Sequence, residues 1–290
     1  MVVQIKALAC ELPSVHDLPL SRWSVADLVI EARKAGIVAS ISDSTVWRWL
    51  NQDAIRPWQH RCWIFPRDPN FALKAGRILD LYERVWEDKP LRDDEFVLSA
   101  DEKTSIQARD RIHPSLPTQP GSVMKVEHEY KRRGAWTYLA AIDVHRAKLF
   151  GRCEEKTGIA PFERLIAQVM VQPPYNKARH VYLIVDNGSS HRGNPCIARL
   201  RARYPKLVVV HGPVHASWLN QIEIYFSILQ RKALTPNNFS SLQALEERII
   251  GFQNYYESIA QPFEWKYTRR DLNQMLARME GFKSDIRKVA

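Results

Sequence analysis

Three carboxylates stand where a folded chain could gather acid side chains into one place. Asp101 follows the apolar run FVLSA, and Asp186 ends the run VYLIV. Both runs read as strands that deliver their acid to a sheet edge, where α/β folds build their sites. Glu223 falls in SWLNQIEIYFSILQRKAL, which reads as a helix beginning near Ser217. On that helix Asn220, Glu223, Ser227 and Gln230 share one side, and Ile222, Phe226, Leu229 and Ala233 share the other. A carboxylate on the edge of a largely buried helix, left desolvated and unpaired, takes up a proton rather than keep its charge. A shared hard cation satisfies three such acids at once. Mg²⁺ or Mn²⁺ takes oxygen ligands and keeps positions open for water and phosphate. Two such ions about 4 Å apart stabilise the attacking and leaving oxygens of an in-line displacement. Spacing alone leaves the alternative open, that each acid pairs separately with one of the 42 Lys and Arg residues.

The elements that must position these acids are legible as a pattern change near residue 95. Before it, SVADLVIEARKAG and SDSTVWRWLNQD read as two short helices. The first stops at Gly36, and the second is capped by Ser42 or Asp43. The second buries Val46, Trp49 and Leu50 and turns Ser44, Thr45 and Arg48 outward, which fits either a helix-turn-helix or a plain helical hairpin. IRPWQHRCWIFPRDP (55–69) interleaves Arg56, His60, Arg61 and Arg67 with aromatics, so it is either a linker able to track a phosphate backbone or an ordinary surface connector. Residues 71–88 read as one amphipathic helix. From 95 on, EFVLSADEKTSIQA, MKVEHEYKRRGAWTYLAAIDVH and AKLFGRCE read as strands. Alternating helices and strands follow to about 235, then helices near 242–258 and 268–281. The expected class is α/β, a mixed sheet flanked by helices, with a small all-α domain before it.

The net charge of +10 favours a polyanionic partner. Cys10, Cys62, Cys153 and Cys196 form no CxxC pair, which disfavours a disulfide framework or zinc knuckle. No apolar run is long enough to span a bilayer, and Lys6 and Glu11 interrupt the first apolar stretch, unlike a secretory signal. The expectation is an intracellular protein that does not enter membranes.

The local strings narrow the reading. SADEKT, IVDNGSSHRG and HASWLNQIEIYFSILQ together closely resemble the DDE transposases of bacterial insertion sequences in the Tc/mariner superfamily, and the resemblance covers most of the chain. It implies an RNase H-like five-stranded mixed sheet flanked by helices, behind a helix-turn-helix domain. It makes Asp101, Asp186 and Glu223 the catalytic, metal-holding acids, with 36 residues between the last two. Asn187 and His191 belong to the second motif and Asn220 to the third, as residues lining the site. The implied cofactor is a pair of Mg²⁺ ions, replaceable by Mn²⁺. The implied partner is double-stranded DNA, as terminal inverted repeats and as target at TA steps, which unstack easily. Two ends must be synapsed, so a homodimer is the natural assembly, and a bacterial nucleoid in the cytoplasm is the implied location. Ser44, Thr45, Arg48, Arg56 and Arg61 are the expected DNA contacts.

The expected divisions are 1–54 for the helix-turn-helix, 55–94 for the linker and helix, 95–235 for the catalytic domain and 236–290 for the C-terminal helices. Family members generally carry two helix-turn-helix units, and MVVQIKALACELP reads as the tail of a first one, so the region is expected to be shortened at its start. Among neighbouring residues, Glu102 should face away from Asp101. Glu127 and Glu129 alternate as expected of cross-strand partners for Lys or Arg. His211 and His215 have zinc-ligand spacing, but Gly212 and Pro213 break the helix that spacing needs. Lys266, Arg269 and Arg270 are candidates for DNA or subunit contact. Two other readings stand beside the transposase: a DNA-binding regulator that does not cut, and another RNase H-like nuclease.

Overall fold

Helix α1 (Val2–Cys10) opens the first of two units, residues 1–65 and 66–290, into which the chain divides. The computed structural model describes residues 1–60, 66–187 and 194–289, the side chains of 194–196 and 280–289 excepted. In the first unit, Ser24 and Asp27 cap one another reciprocally to start helix α2 (Val25–Lys34), and the Ser42 hydroxyl accepts from Thr45 N–H to start helix α3 (Asp43–Gln52). Gly36 takes φ +69° just past the end of α2, the left-handed step that glycine makes without strain. The connection to α3 runs through residues 35–42, longer than a minimal turn, because Ile37, Val38 and Ile41 fold in against the core. Ile5, Leu8 and Ala9 of α1 join Trp23, Leu28, Val29, Ala32, Val46 and Leu50 in that core, so α1 is an integral helix of this unit.

The second unit is built on a five-stranded sheet. Its strands are β3 (Glu95–Asp110), β4 (Lys131–Asp143), β5 (Leu149–Glu154), β6 (His180–Val185) and β7 (Leu207–His211), ordered β5-β4-β3-β6-β7. β3–β4 and β4–β5 are antiparallel, whereas β3–β6 and β6–β7 are parallel. This is the mixed, helix-flanked sheet that the alternating pattern predicts. Residues 95–101 are buried without a break because the centre of the sheet is covered on both faces.

Alternation along the strands sorts residues between those faces. Phe96, Leu98, Ala100, Val181, Leu183 and Val185 pack against helix α5 (Ile159–Met170) and Leu200 of α6 (Asn194–Arg203). The opposite face carries two separate clusters. Helices α7 (Ile222–Lys232) and α8 (Leu242–Ile259) cover Tyr138, Ala140 and Ile142 of β4. Helix α4 (Phe71–Tyr82) and Leu272 of α9 (Arg269–Val289) cover Val97, Tyr182, Ile184 and Val210. Ser99 and Asp101 belong by alternation to this second face.

Two elements depart from the sequence reading. The helix expected over 71–88 stops at Tyr82, and residues 85–90 form a hairpin of β1 (Val85–Trp86) and β2 (Lys89–Pro90). Arg84 sits at φ +58°, which ends the helix, and Glu87 and Asp88 are both left-handed, the backbone of a two-residue hairpin turn. Glu127 and Glu129 lie in the connection between β3 and β4 rather than in a strand, and Glu127 pairs with His113 at 3.0 Å, not with Lys or Arg.

Candidate active site

The register of the sheet places the two aspartates side by side. β3 and β6 run parallel with Ser99 opposite Ile184, so two further residues along each chain bring Asp101 beside Asp186, about one strand spacing of ~4.8 Å away. Both fall on the face shared by Val97, Tyr182 and Ile184, Asp186 just past the end of β6 and Asp101 partway along β3, where its pairing with β6 stops. Asp101 is buried at 8% exposure and Asp186 is half-buried. The Asp101 carboxylate accepts from Glu102 N–H at 2.8 Å and from the Asn220 amide at 3.1 Å.

Asn220 links this strand to the helix carrying the third acid. Its amide also donates to Ala100 O at 3.1 Å, and its side-chain oxygen accepts from the Ser99 hydroxyl. That hydroxyl in turn accepts from Ile222 N–H at 2.9 Å. One buried Ser–Asn pair therefore orients Asp101 and anchors the first residue of α7, and Glu223 follows in the helix's first turn. The Tyr82 hydroxyl secures the approach, donating to Leu219 O at 2.5 Å and accepting from Gln221 N–H at 3.3 Å.

The helix expected from Ser217 begins instead at Ile222, after a short turn over Ser217–Leu219. Asn220 is extended, not helical, because its side chain is needed at β3 rather than on a helix face. Beyond it the expected sidedness holds: Glu223, Ser227 and Gln230 are exposed, while Ile222, Phe226 and Leu229 are buried.

Electrostatics tie Glu223 to the aspartates. Its pKa is raised, chiefly by loss of hydration, opposed by the Lys103 charge and reinforced by that of Asp186. Lys103 stands two residues beyond Asp101, on the same face of β3. Other buried acids behave differently. Asp68 has its pKa lowered by its bond to Lys74. Asp143 accepts from Tyr175 OH and from the backbone of His145 and Arg146.

Among the described residues no three His, Cys, Asp or Glu side chains are already gathered tightly enough to enclose a metal ion. The test of fit is the chemistry of the donors. Three carboxylates, one of them with its pKa raised by loss of hydration and, to a lesser degree, by the Asp186 charge, are a hard-oxygen donor set, and such a set suits Mg²⁺ or Mn²⁺.

The remaining expected residues divide. Asn187 lies at the site's edge and donates to Gly212 O at 2.6 Å, bridging the ends of β6 and β7. His191 and Arg61 fall outside the described residues. In the first unit Ser44 and Arg48 are exposed on α3, and with Val25, Asp43 and Trp47 they line a hollow of about 510 Å³. Thr45 is half-buried, its hydroxyl 2.9 Å from that of Ser42, so part of its polarity serves the helix cap. Arg56 is exposed beside Arg22, Trp58 and His60. In the second unit Arg269 is committed within the chain, bidentate to Asp80 at 2.8 and 2.6 Å. Sequence reasoning missed Ser99 and Lys103. Their two-residue spacing around Asp101 was the available signal.

Residues 97–246 match the DDE superfamily endonuclease family. None of the curated proteins matches the chain. Several solved structures share its fold. The crystal structure of the Mos1 mariner paired end complex with Mn aligns at TM-score 0.56 and 14% identity, over 97% of this chain and 77% of that one. A pre-cleavage Mos1 transpososome aligns at 0.55 and 14%, over 97% and 77%. The Mos1 paired end complex with Mg aligns at 0.52 and 14%, over 88% and 71%. The likeness is one of fold, the RNase H-like sheet with its flanking helices.

Two outcomes follow from this geometry. A raised Glu223 pKa favours the neutral acid in the fold, so the stability it contributes is complete below the unfolded value of about 4.3 and lost as pH rises through the folded one. Glu223→Gln should therefore raise the thermal midpoint of metal-free protein near neutral pH, with the gap closing below about pH 4; equal midpoints at neutral pH would contradict this. Ser99→Ala strands buried polar groups and should cost about 1–3 kcal/mol. Because it acts through Asn220, that cost should shrink by roughly 1 kcal/mol in an Asn220→Ala background, and strict additivity in denaturant titrations would refute the link.

Proposed function

The chain belongs to the DDE superfamily endonucleases, and we propose that within this family it is a transposase of Tc/mariner type. It would cut DNA at the terminal inverted repeats of a mobile element and join the freed ends to target DNA at TA steps. The observation that carries this reading is the convergence of Asp101 and Asp186 on adjacent parallel strands, with Glu223 delivered to them by a helix hydrogen-bonded to the same strand.

Asp101, Asp186 and Glu223 would hold two Mg²⁺ ions, with Mn²⁺ as a substitute; the solved Mos1 paired end complexes carry Mn and Mg. When bound, such ions supply Lewis-acid stabilisation to the attacking and leaving oxygens of an in-line phosphoryl transfer. The chain's own contribution is positioning. Asn220 and Ser99 fix the Asp101 carboxylate before substrate arrives, so no reorganisation is required during reaction. Asn187 fixes the loop after β6 against β7. Lys103 offsets carboxylate repulsion and is placed to meet a backbone phosphate once the acids are occupied.

In the first unit, Ser44 and Arg48 on the exposed side of α3 would read base edges, with Thr45 a lesser contributor because of its cap bond. Arg56 and Arg61 would contact phosphates. Synapsis of two element ends calls for two copies of the chain. Among the described residues no helix is long and apolar enough to cross a membrane, and DNA in the nucleoid is the proposed setting.

The test is supercoiled plasmid carrying candidate inverted repeats, incubated with purified protein and Mg²⁺. The expected result is cleavage at the repeat ends, reduced by on the order of 10²–10³ or more in Asp186→Ala with repeat binding retained. Binding without nicking in either Mg²⁺ or Mn²⁺ would replace the proposal with a regulator that occupies the repeats without cutting.

A further inference from the structure

Where β3 runs on past the acids, Arg109 and Arg111 line a cleft of about 450 Å³ together with His128, Tyr130, Gln230 and Asn237. The Arg109 guanidinium lies 4.6 Å from the centre of the Tyr130 ring, and that of Arg111 lies 5.7 Å from it. The backbone of Arg109 is clamped on both sides: its N–H donates to Asn237 Oδ1 at 3.0 Å, and its carbonyl accepts from Phe239 N–H at 2.7 Å. Arg111 is committed to the fold, donating through Nε to Glu127 O at 2.6 Å and through Nη1 to Asn237 O.

Arg109 is different. Its Nε is buried and finds no acceptor among the described residues. The carboxylate lining the cleft, Glu127, accepts from His113 N–H at 2.9 Å and faces the His113 ring nitrogen at 3.0 Å. Two guanidiniums crowd one ring while a buried N–H goes unserved, which leaves the cleft short of negative charge. A guanidinium fork in that condition matches the oxygens of a phosphate.

Helix α7 gives the cleft a position relative to the acids. Glu223 is in its first turn, and Gln230, seven residues on, lines the cleft. Seven residues of α-helix span about 10 Å, and the eight residues from Asp101 to Arg109 span at most about 26 Å of strand, so the cleft lies within a few nucleotides of the acids. We propose that this cleft is a second phosphate site, in which Arg109 grips a DNA backbone phosphate a few nucleotides from the bond being cut. The proposal rests on the DNA-cleavage reading above. On it, Arg109 helps determine which bond along the strand lies over the acids.

The test uses end-containing DNA with one backbone phosphate at a time replaced by an uncharged methylphosphonate, scanned over six steps on either side of the cut. Replacement of one phosphate within that range should slow the wild type roughly ten- to a hundredfold, the range of a hydrogen bond to a charged group. Arg109→Gln should be slowed by a similar factor on unmodified DNA and be indifferent to that replacement. Arg109→Lys, which keeps the charge and loses the fork, should recover part of the rate, and it serves as the coupled variant if Arg109→Gln does not fold. Equal slowing of wild type and variant at that phosphate, or no phosphate in the scan whose replacement slows the wild type alone, overturns the proposal. Failure of wild type on unmodified DNA instead overturns the cleavage reading on which it rests.

Discussion

Carboxylates that share a site repel one another, and the place where β6 ends beside β3 is shaped by how that repulsion is met. Two unit charges 4 Å apart cost about 4 kcal/mol at an effective dielectric of 20, a large fraction of a domain's net stability. Asp101 accepts hydrogen bonds from a backbone N–H and from the Asn220 amide. Glu223 has less help: burial and Asp186 push its pKa up, and Lys103 offsets only part of that. A fold that keeps three acids in this condition gives up stability in exchange for a place where positive charge binds.

The same constraint explains why the site spans two apolar clusters instead of lying within one. The α7–α8 cluster and the α4–α9 cluster cover different halves of one sheet face, and by alternation the acids belong to that face. Ser99 and Asn220 bridge the halves with hydrogen bonds. Replacing them with apolar side chains would leave backbone and carboxylate groups buried without partners. The polar bridge thus does two jobs, fixing the strand-to-helix geometry and holding the Asp101 carboxylate in place.

Much of this was readable from residues alone, for identifiable reasons. The apolar runs before Asp101 and Asp186 are long and end in an acid, so the two strands and the acids they carry were visible, although β3 runs on to Asp110. The register of α7 revealed which side of Glu223 is buried. Features set by distant contacts were not visible. Asn220 leaves the helix because of bonds to a strand about 120 residues earlier in the chain, and no local pattern encodes that. Ser99 is hidden as one small residue within an apolar run. The 85–90 hairpin was missed because Arg84, Glu87 and Asp88 adopt left-handed backbone without a glycine to signal it. Arg269 looked available for DNA, and its commitment to Asp80 depends on how α9 lies against α4.

Crystals soaked in Mn²⁺ and measured for anomalous scattering test the central claim most directly. The account predicts two manganese peaks about 4 Å apart, with Asp101, Asp186 and Glu223 all drawn in as ligands and Glu223 released from the influence of Lys103. Manganese bound elsewhere, or at the aspartates without Glu223 as a ligand, would contradict it.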